Sequence, residues 1–171
     1  MLQGFYVSKL GQYKRADLIG QSSYIKNNDV VIFNEAFDNG ASDKLLSNVK
    51  KNILTKHLYS VVLESGWDKT EGSYSSTVAE DGGVAIVSKY PIKEKIQHVF
   101  KSGCGFDNDS NKGFVYTKIE KMVRTFTLSV HIQSEDSRCG AGHDRKIRAE
   151  QMKEISDFVK RKISLKMKRY I

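Results

Sequence analysis

The sequence contains little cysteine and proline, and it lacks any long apolar run. Its 171 residues include one proline and two cysteines, Cys104 and Cys139. Neither the spacing of the cysteines nor their neighbours suit a structural zinc site, which needs four ligands in close pairs. No stretch approaches the roughly 18 uninterrupted apolar residues that a membrane-spanning helix requires. These absences exclude a structural zinc site and a membrane span.

The first residues also lack a secretory signal, in which a basic, an apolar and a small-residue segment follow one another. From the N-terminus alone we would expect the chain to stay in the cytoplasm. The remaining composition is ordinary for one soluble globular domain, with 39% hydrophobic and 28% charged residues in a length that can bury a core. The sequence shows no internal repeat and no second domain.

The charge of the chain is positive and unevenly distributed. The formal net charge is +8 and the pI is near 9.4, a balance that ordinarily indicates a nucleic-acid or anionic-membrane partner. The end of the chain, Arg161–Ile171, holds a dense group of these basic residues. A loose, salt-dependent affinity for polyanions could follow from this tail, so a non-catalytic binding role stays open.

Helical and strand patterns alternate along the chain. Apolar residues at helical spacing predict three helices, and the second and third begin at a capping Ser42 and Asp144. Shorter apolar runs predict five strands, with a polar loop over Glu71–Gly82. The predicted helices are Arg15–Lys26, Ser42 to about Lys51 and Asp144 to about Lys162, and the predicted strands are Asp29–Phe33, Gly83–Ser88, Ile92–Phe100, Phe114–Ile119 and Thr125–Ile132. The expected inward residues are Ala16, Ile19, Ile25, Leu45, Leu46, Val49, Ile147, Ile155, Phe158 and Val159.

The first predicted strand runs directly into a carboxylate at Glu35. Ligands of α/β folds bind in the crevice outside the carboxyl ends of strands. Mg²⁺ takes one or two protein carboxylates and keeps waters and a substrate phosphate, so Glu35 is a candidate Mg²⁺ ligand. The local pattern by itself favours a plainer interpretation, an acid that caps a turn at the strand end. The surrounding sequence shifts the balance towards the metal-ligand interpretation.

Three blocks, residues 11–51, 65–121 and 133–160, resemble one known family. The run GGVAIVSKYPI, Gly82–Ile92, is shared by many metal phosphoesterases of the deoxyribonuclease-I-like fold. The combination of CGFDNDSNKG, which starts at Cys104, with QSEDS, which starts at Gln133, is more specific. It resembles the bacterial neutral sphingomyelinase C family.

The resemblance implies an α+β fold, an incomplete deoxyribonuclease-I-like (endonuclease/exonuclease/phosphatase) β-sandwich flanked by helices. Residues 1–171 would form a single partial domain, the N-terminal half of that fold. With half of a two-sheet sandwich missing, we expect the remaining sheet to expose its core face to water. We therefore expect the chain to be poorly stable alone.

The resemblance also implies a chemistry, the Mg²⁺-assisted hydrolysis of sphingomyelin to ceramide and phosphocholine, in the manner of a phospholipase C-type haemolysin. It implies a secreted virulence protein that is a monomer, acts on host membranes and has no specific nucleic-acid partner. Cys104 and Cys139 would form a disulfide, which fits an oxidising compartment. The implied site residues are Glu35 as metal ligand, His131 and Gln133 facing the phosphate, Asp136 ordering the site, and Asp107 and Asn111 bordering the substrate cleft. A lone histidine on a strand is often only structural, so both interpretations of His131 stay open.

Four stretches depart abruptly from the family: 1–10, 52–64, 122–132 and 161–171. We hypothesise that they are out-of-frame translations, and because they carry most of the net charge, the basicity would not be an evolved binding surface. The chain also lacks the asparagine of the family's first strand and its Gly-Asp-x-Asn and Ser-Asp-His motifs, the last of which holds the general base. We therefore expect an inactive chain. A nuclease of the same superfamily is the alternative, although the CGFDN block argues against it.

Overall fold

Seven strands in two sheets form the centre of the part of the chain that the structure describes. This computed structural model describes residues 11–52, 59–62, 67–78, 81–122 and 124–167. The strands are β1 Val30–Phe33, β2 Tyr59–Val62, β3 Lys69–Gly72, β4 Ala85–Ser88, β5 Ile92–Val99, β6 Gly113–Glu120 and β7 Arg124–Val130. The helices are α1 Gln12–Gly20, α2 Ser23–Asn27, α3 Asn39–Asn52 and α4 His143–Met167, with short 3₁₀ helices at Gly105–Asp109 and Ser137–Cys139.

The first sheet has the order β1-β4-β2 and the second has the order β3-β5-β6-β7. All pairs are antiparallel except β3 with β5. Phe33, at the end of β1, lies opposite Ala85 at the start of β4. Val130, at the end of β7, lies opposite Phe114 near the start of β6. The residues after β1 and β7 therefore leave their sheets beside the loops that precede β4 and β6.

Three apolar clusters show that the elements stack in four layers. Val87 of β4 packs with buried residues of α1, α2 and α3, whereas its neighbour Ile86 packs with Val115 of β6, between the two sheets. On the far side of the second sheet, Phe114 packs with Phe158 of α4. The order is helices, sheet, sheet, helix, which confirms the expected sandwich flanked by helices. The expectation that a remaining sheet would expose its core face is wrong, because alternate side chains of β4 are covered on both faces.

The predicted single helix Arg15–Lys26 is in fact two helices, α1 and α2, separated at Gln21 and Ser22. Ala16 and Ile25 are buried as expected, but Ile19 is 43% exposed. Gly20 at the end of α1 packs so closely on α3 that a Cβ there would lie 2.7 Å from the Cβ of Asn48. This contact fixes α1 against α3, and the chain must turn after it before Ile25 can enter the core.

The start of α3 is capped by Asp38 and not by Ser42. The Asp38 Oδ1 atom accepts a hydrogen bond from the Ala41 N–H at 2.7 Å, while the buried Ser42 hydroxyl donates to the Ala36 carbonyl at 2.9 Å. The predicted inward residues of α3, Leu45, Leu46 and Val49, are all buried.

Helix α4 begins one residue before the predicted Asp144 and runs to Met167, beyond the predicted end. Asp144 lies in its first turn and pairs with Arg148 at 2.9 Å. Ile147, Ile155 and Phe158 are buried, but Val159 is 37% exposed.

The five predicted strands are present, with ends that differ by one or two residues. Strand β2 was not predicted because it lies in the divergent stretch 52–64, of which residues 53–58 and 63–64 lie outside the described residues. Strand β3 overlaps the start of the loop predicted over Glu71–Gly82. Among the described residues, no helix has the length and apolar character needed to cross a membrane.

Candidate active site

Glu35 follows β1 and has an unusual backbone conformation. Its φ is 62°, and it is the one residue other than glycine with a positive φ among the described residues. The left-handed conformation is unfavourable for a residue with a Cβ and persists only where neighbouring contacts impose it. Here the next residue, Ala36, donates its N–H to the Gly83 carbonyl at 2.9 Å. The Glu35 side chain is exposed at this edge.

The loop before β4 supports this strand end. Asp81 Oδ1 accepts a hydrogen bond from the Gly83 N–H at 2.5 Å. Gly83 has a φ of 62°, and a Cβ at this position would lie 2.7 Å from the Phe37 ring. Glycine is therefore required by both the backbone and the close contact. Phe37 in turn contacts the His131 ring, with ring centroids 5.5 Å apart.

His131 lies directly after β7, on the other side of Phe37. Its backbone N–H donates to the Gly113 carbonyl at 2.8 Å, and its Nδ1 lies 2.9 Å from the Gly82 carbonyl. Because a carbonyl oxygen can only accept, Nδ1 carries a proton, and in the neutral ring Nε2 is the acceptor.

The environment of His131 favours the neutral ring. Burial lowers the pKa of His131 below its ordinary value of 6.5, and the positive charge of Lys112 acts in the same direction. The hydrogen bond to Gly82 and the charges of Glu35 and Asp107 oppose this shift in the pKa without cancelling it. A half-buried imidazole whose one fixed proton is on Nδ1 is suited to exchange protons at Nε2.

Gln133 is fully enclosed, with 2% of its side chain exposed. Its Oε1 accepts the Cys104 N–H at 2.9 Å, and its Nε2 donates to the carbonyls of Cys104 at 3.2 Å and Ser134 at 3.0 Å. The backbone N–H of Gln133 donates to Oε1 of Gln151 at 2.8 Å. The amide of Gln133 therefore binds protein backbone, and we treat this residue as support for the site and not as a group facing the phosphate.

Asp107 forms a compact ionic contact beside the same segment. Its Oδ1 lies 2.8 Å from Nζ of Lys112, and its Oδ2 accepts the Ser134 N–H at 2.6 Å and hydroxyl at 2.8 Å. Burial acts to raise the pKa of Asp107, but the hydrogen bonds from Lys112 and Ser134 outweigh it and leave the pKa below the ordinary value. Asp107 thus stays ionised and holds the backbone after His131.

Asp136 links the two 3₁₀ helices. Its carboxylate accepts the Phe106 N–H at 2.8 Å and the Arg138 N–H at 2.9 Å, and these two bonds lower its pKa. A disulfide between Cys104 and Cys139 joins the same two segments, as the family resemblance implied. Gly105 lies so close to Asp136 that a Cβ would meet its carboxylate at 2.3 Å.

Asn111 is buried and pairs with the backbone of Ser75, accepting its N–H at 3.1 Å and donating to its carbonyl at 3.0 Å. Asp107 and Asn111 line a small, mostly polar cavity of about 110 Å³. The two predicted substrate-binding residues thus lie together, but the polar atoms described for them bind protein groups.

The donor set around Glu35 fits Mg²⁺ only in part. Across the described residues, no group of three or more His, Cys, Asp and Glu side chains could hold a metal ion. Next to Glu35, the Asn34 amide oxygen accepts a hydrogen bond from Ser129 at 3.4 Å. Because Mg²⁺ binds through one or two carboxylates and keeps several waters, Glu35 fits as a single attachment point and not as part of a closed protein cage.

Sequence reasoning missed several residues that shape this site. Phe37 and Gln151 carry no motif of their own, and Lys112, although it lies in the CGFDNDSNKG run, was assigned no role; each contacts a predicted residue. Gln151 did have a signal, because it falls four residues after Ile147 and four before Ile155, on the buried face of α4. A polar side chain at such a position needs a hydrogen-bond partner.

Comparison with known proteins agrees with this arrangement. Residues 11–166 match the endonuclease/exonuclease/phosphatase family. The chain belongs to this family. A phospholipase C of Staphylococcus aureus is 80% identical to the chain over 163 residues, covering 95% of this chain and 49% of the relative. A sphingomyelinase C of Bacillus cereus is 58% identical over 157 residues, covering 89% of this chain and 46% of the relative.

A solved structure extends the similarity to three dimensions. A mutant beta toxin of Staphylococcus aureus with bound magnesium ions matches with a TM-score of 0.82 and 83% identity, covering 90% of this chain and 53% of that one. The resemblance to the bacterial sphingomyelinases C, inferred from motifs, is confirmed. The chain spans about half the length of the curated relatives it matches. The single-domain boundaries, the out-of-frame hypothesis and the roles of the site residues stay predictions.

Proposed function

We propose that this chain carries the Glu35 and His131 part of a Mg²⁺-dependent phosphodiesterase site that acts on sphingomyelin. The main support is the convergence of two strand ends, with Glu35 exposed after β1 and the His131 ring held after β7 by the Gly82 carbonyl. The charge of Glu35 acts on the His131 ring. Both groups can therefore serve one phosphodiester. The names of the relatives, phospholipase C and sphingomyelinase C, support the substrate class.

In this proposal the two residues have separate roles. Glu35 would hold Mg²⁺ through its carboxylate, and the bound ion would polarise the phosphate and stabilise the departing alkoxide. His131 would hold or release a proton at Nε2 beside a phosphate oxygen. Hydrolysis breaks the bond between phosphorus and the ceramide oxygen and forms one between phosphorus and the oxygen of water. The products are ceramide and phosphocholine.

We propose further that these 171 residues are inactive alone. The sequence contains neither Gly-Asp-x-Asn nor Ser-Asp-His, and no group of three or more His, Cys, Asp and Glu side chains among the described residues could hold the metal. Loss of a general base typically lowers a rate by about 10²- to 10⁴-fold. The loss of further metal ligands would lower the rate still more.

Phosphocholine release from sphingomyelin vesicles tests this proposal. The chain would be assayed with Mg²⁺ and with a chelator, beside the Staphylococcus aureus relative and a Glu35→Gln variant. We expect no Mg²⁺-dependent release above the Glu35→Gln background. A rate comparable to that of the relative would contradict inactivity. If Glu35→Gln did not remove such activity, the proposed site would be wrong as well.

The family match makes a nuclease the second candidate, since the family includes endonucleases and exonucleases. Nicking of supercoiled plasmid with Mg²⁺ distinguishes the two activities. Polyanion binding by the basic tail has less support, because Arg161 pairs with Glu71 and Lys162 pairs with Glu94. If polyanion binding did occur, its loss on deletion of residues 161–171 would assign it to the tail.

We also propose that the chain is a monomer and belongs to an oxidising, extracellular setting. The disulfide between Cys104 and Cys139 supports this setting, because such bonds persist mainly outside the cytosol. Free thiols in protein isolated from the culture medium would contradict it.

A further inference from the structure

The four residues after β7, residues 131–134, are held by contacts from several directions, and we call this segment the β7 arm. The His131 N–H bonds the Gly113 carbonyl on β6, and Nζ of Lys112 lies 3.5 Å from the Ile132 carbonyl. At the far end of the arm, Ser134 bonds Asp107. Between these contacts, the Gln133 N–H donates to α4 through Gln151.

Gln151 is the contact that joins the arm to helix α4. It is 1% exposed. Its Oε1 accepts the Gln133 N–H at 2.8 Å, and its Nε2 donates to the Ser102 carbonyl at 2.8 Å. One side chain therefore connects α4, the β7 arm and the loop after β5. A buried backbone N–H left without such a partner would be destabilising.

The place of Gln151 on α4 shows that this contact is specific. Its neighbours one turn away, Ile147 and Ile155, are both buried and apolar. An apolar side chain would satisfy that face of the helix equally well. A buried amide is unfavourable unless both of its ends are hydrogen-bonded. Gln151 meets this condition only because the arm and the Ser102 loop are within reach.

We propose that Gln151 is a positioning residue for His131. By holding the Gln133 N–H, it keeps the β7 arm in place so that the His131 ring stands between Phe37 and the Gly82 carbonyl. The importance of this position rests on the proposed function, in which His131 acts on the phosphate. The claim that Gln151 fixes the position of the His131 ring does not depend on that function.

The test is the nuclear Overhauser contact between the His131 and Phe37 rings, whose centroids lie 5.5 Å apart. Gln151→Met keeps the length of the side chain but removes both hydrogen bonds. The matched control is Gln97→Met, because Gln97 is also buried in the fold and donates to Thr70 at 2.7 Å on the opposite edge of the sheet. We expect Gln151→Met to lose the contact between the rings and Gln97→Met to keep it. If the contact survives in Gln151→Met, the proposal is wrong.

A measurement on the unmodified chain covers the case in which Gln151→Met does not fold. We expect the amide proton of Gln133 to exchange with solvent as slowly as the amide protons on the buried face of α4, because it is bonded to that helix. Exchange as fast as at the exposed Ser137 would overturn the proposal. Neither measurement depends on metal binding or hydrolysis. If the sphingomyelin assay contradicted the proposed function, the result for Gln151 would therefore still stand.

Discussion

The two strand ends that form the site are held in different ways. After β7, His131 and the residues behind it bond side chains or backbone of β6, of α4 and of the 3₁₀ region. After β1, Glu35 has an unfavourable backbone conformation, and the hydrogen bonds described there are made by its neighbours Asn34 and Ala36. His131, the proposed proton-handling group, thus lies in a network of contacts, whereas Glu35, the proposed metal ligand, depends on local backbone strain. This difference predicts that substitutions among the contacts after β7 lower the stability of the chain. It also predicts that relief of the backbone strain after β1 raises it.

The disulfide anchors the β7 side, so its loss should have the largest effect. The chain-entropy estimate for a sequence separation of 35 residues is about 3.8 kcal/mol. We expect the free energy of unfolding in urea to fall by that order when Cys104 and Cys139 are both replaced by serine. Dithiothreitol should lower the stability of the unmodified chain and leave the double variant unchanged. Equal stability of the two chains in oxidising buffer would contradict this account.

Loss of the Asp107–Lys112 ion pair should have the next largest effect on stability. Both side chains are nearly buried, so Lys112→Met leaves a carboxylate without its charge partner, at a cost of about 3 kcal/mol. Lys121→Met is the matched control, since Lys121 pairs with Asp29 at an exposed position. There we expect a much smaller loss of stability, because an ion pair exposed to solvent contributes little. Similar losses in the two variants, measured by urea denaturation, would show that the β7 side is not specially held.

On the β1 side, Glu35→Gly should stabilise the chain. Glycine adopts a φ of 62° without the steric penalty of a Cβ, and relief of such strain is worth about 1 kcal/mol or more. Glu35→Ala is the control, because it removes the carboxylate and keeps the Cβ. A melting temperature of Glu35→Gly no higher than that of Glu35→Ala would mean that the strain is absent.

The smallest expected effect is a pH dependence from His131. Its pKa is lowered in the folded chain, chiefly by burial, so the unfolded chain binds a proton first as the pH falls. Stability should therefore decrease as the pH falls from about 6.5 to the lower folded pKa of His131. Below that pKa this contribution should stay constant. Urea denaturation at several pH values, compared with His131→Gln, checks the window. A chain whose stability changes with pH in the same way as the variant would contradict the shifted pKa.

The sequence was informative where a local pattern is tied to a chemical need. An apolar run ending in an acid predicted β1 and the position of Glu35 just beyond its end, and apolar spacing predicted α3 and most of α4. The sequence did not predict features that are caused by contacts between residues far apart in the chain. The break between α1 and α2 follows from the packing of Gly20 on α3, and the burial of Gln133 follows from partners at Cys104 and Gln151. Such contacts have no signal within a window of neighbouring residues.

The central claim, that Glu35 and His131 share one metal-dependent site, is tested most directly with Mn²⁺ as a paramagnetic substitute for Mg²⁺. Substoichiometric Mn²⁺ would be added to the chain while the ring resonances of His131 and His143 are followed by NMR. The account predicts that the His131 signals broaden, that the exposed His143 is unaffected, and that Glu35→Gln abolishes the broadening. Sharp His131 signals in the presence of Mn²⁺, or broadening that persists in Glu35→Gln, would contradict it.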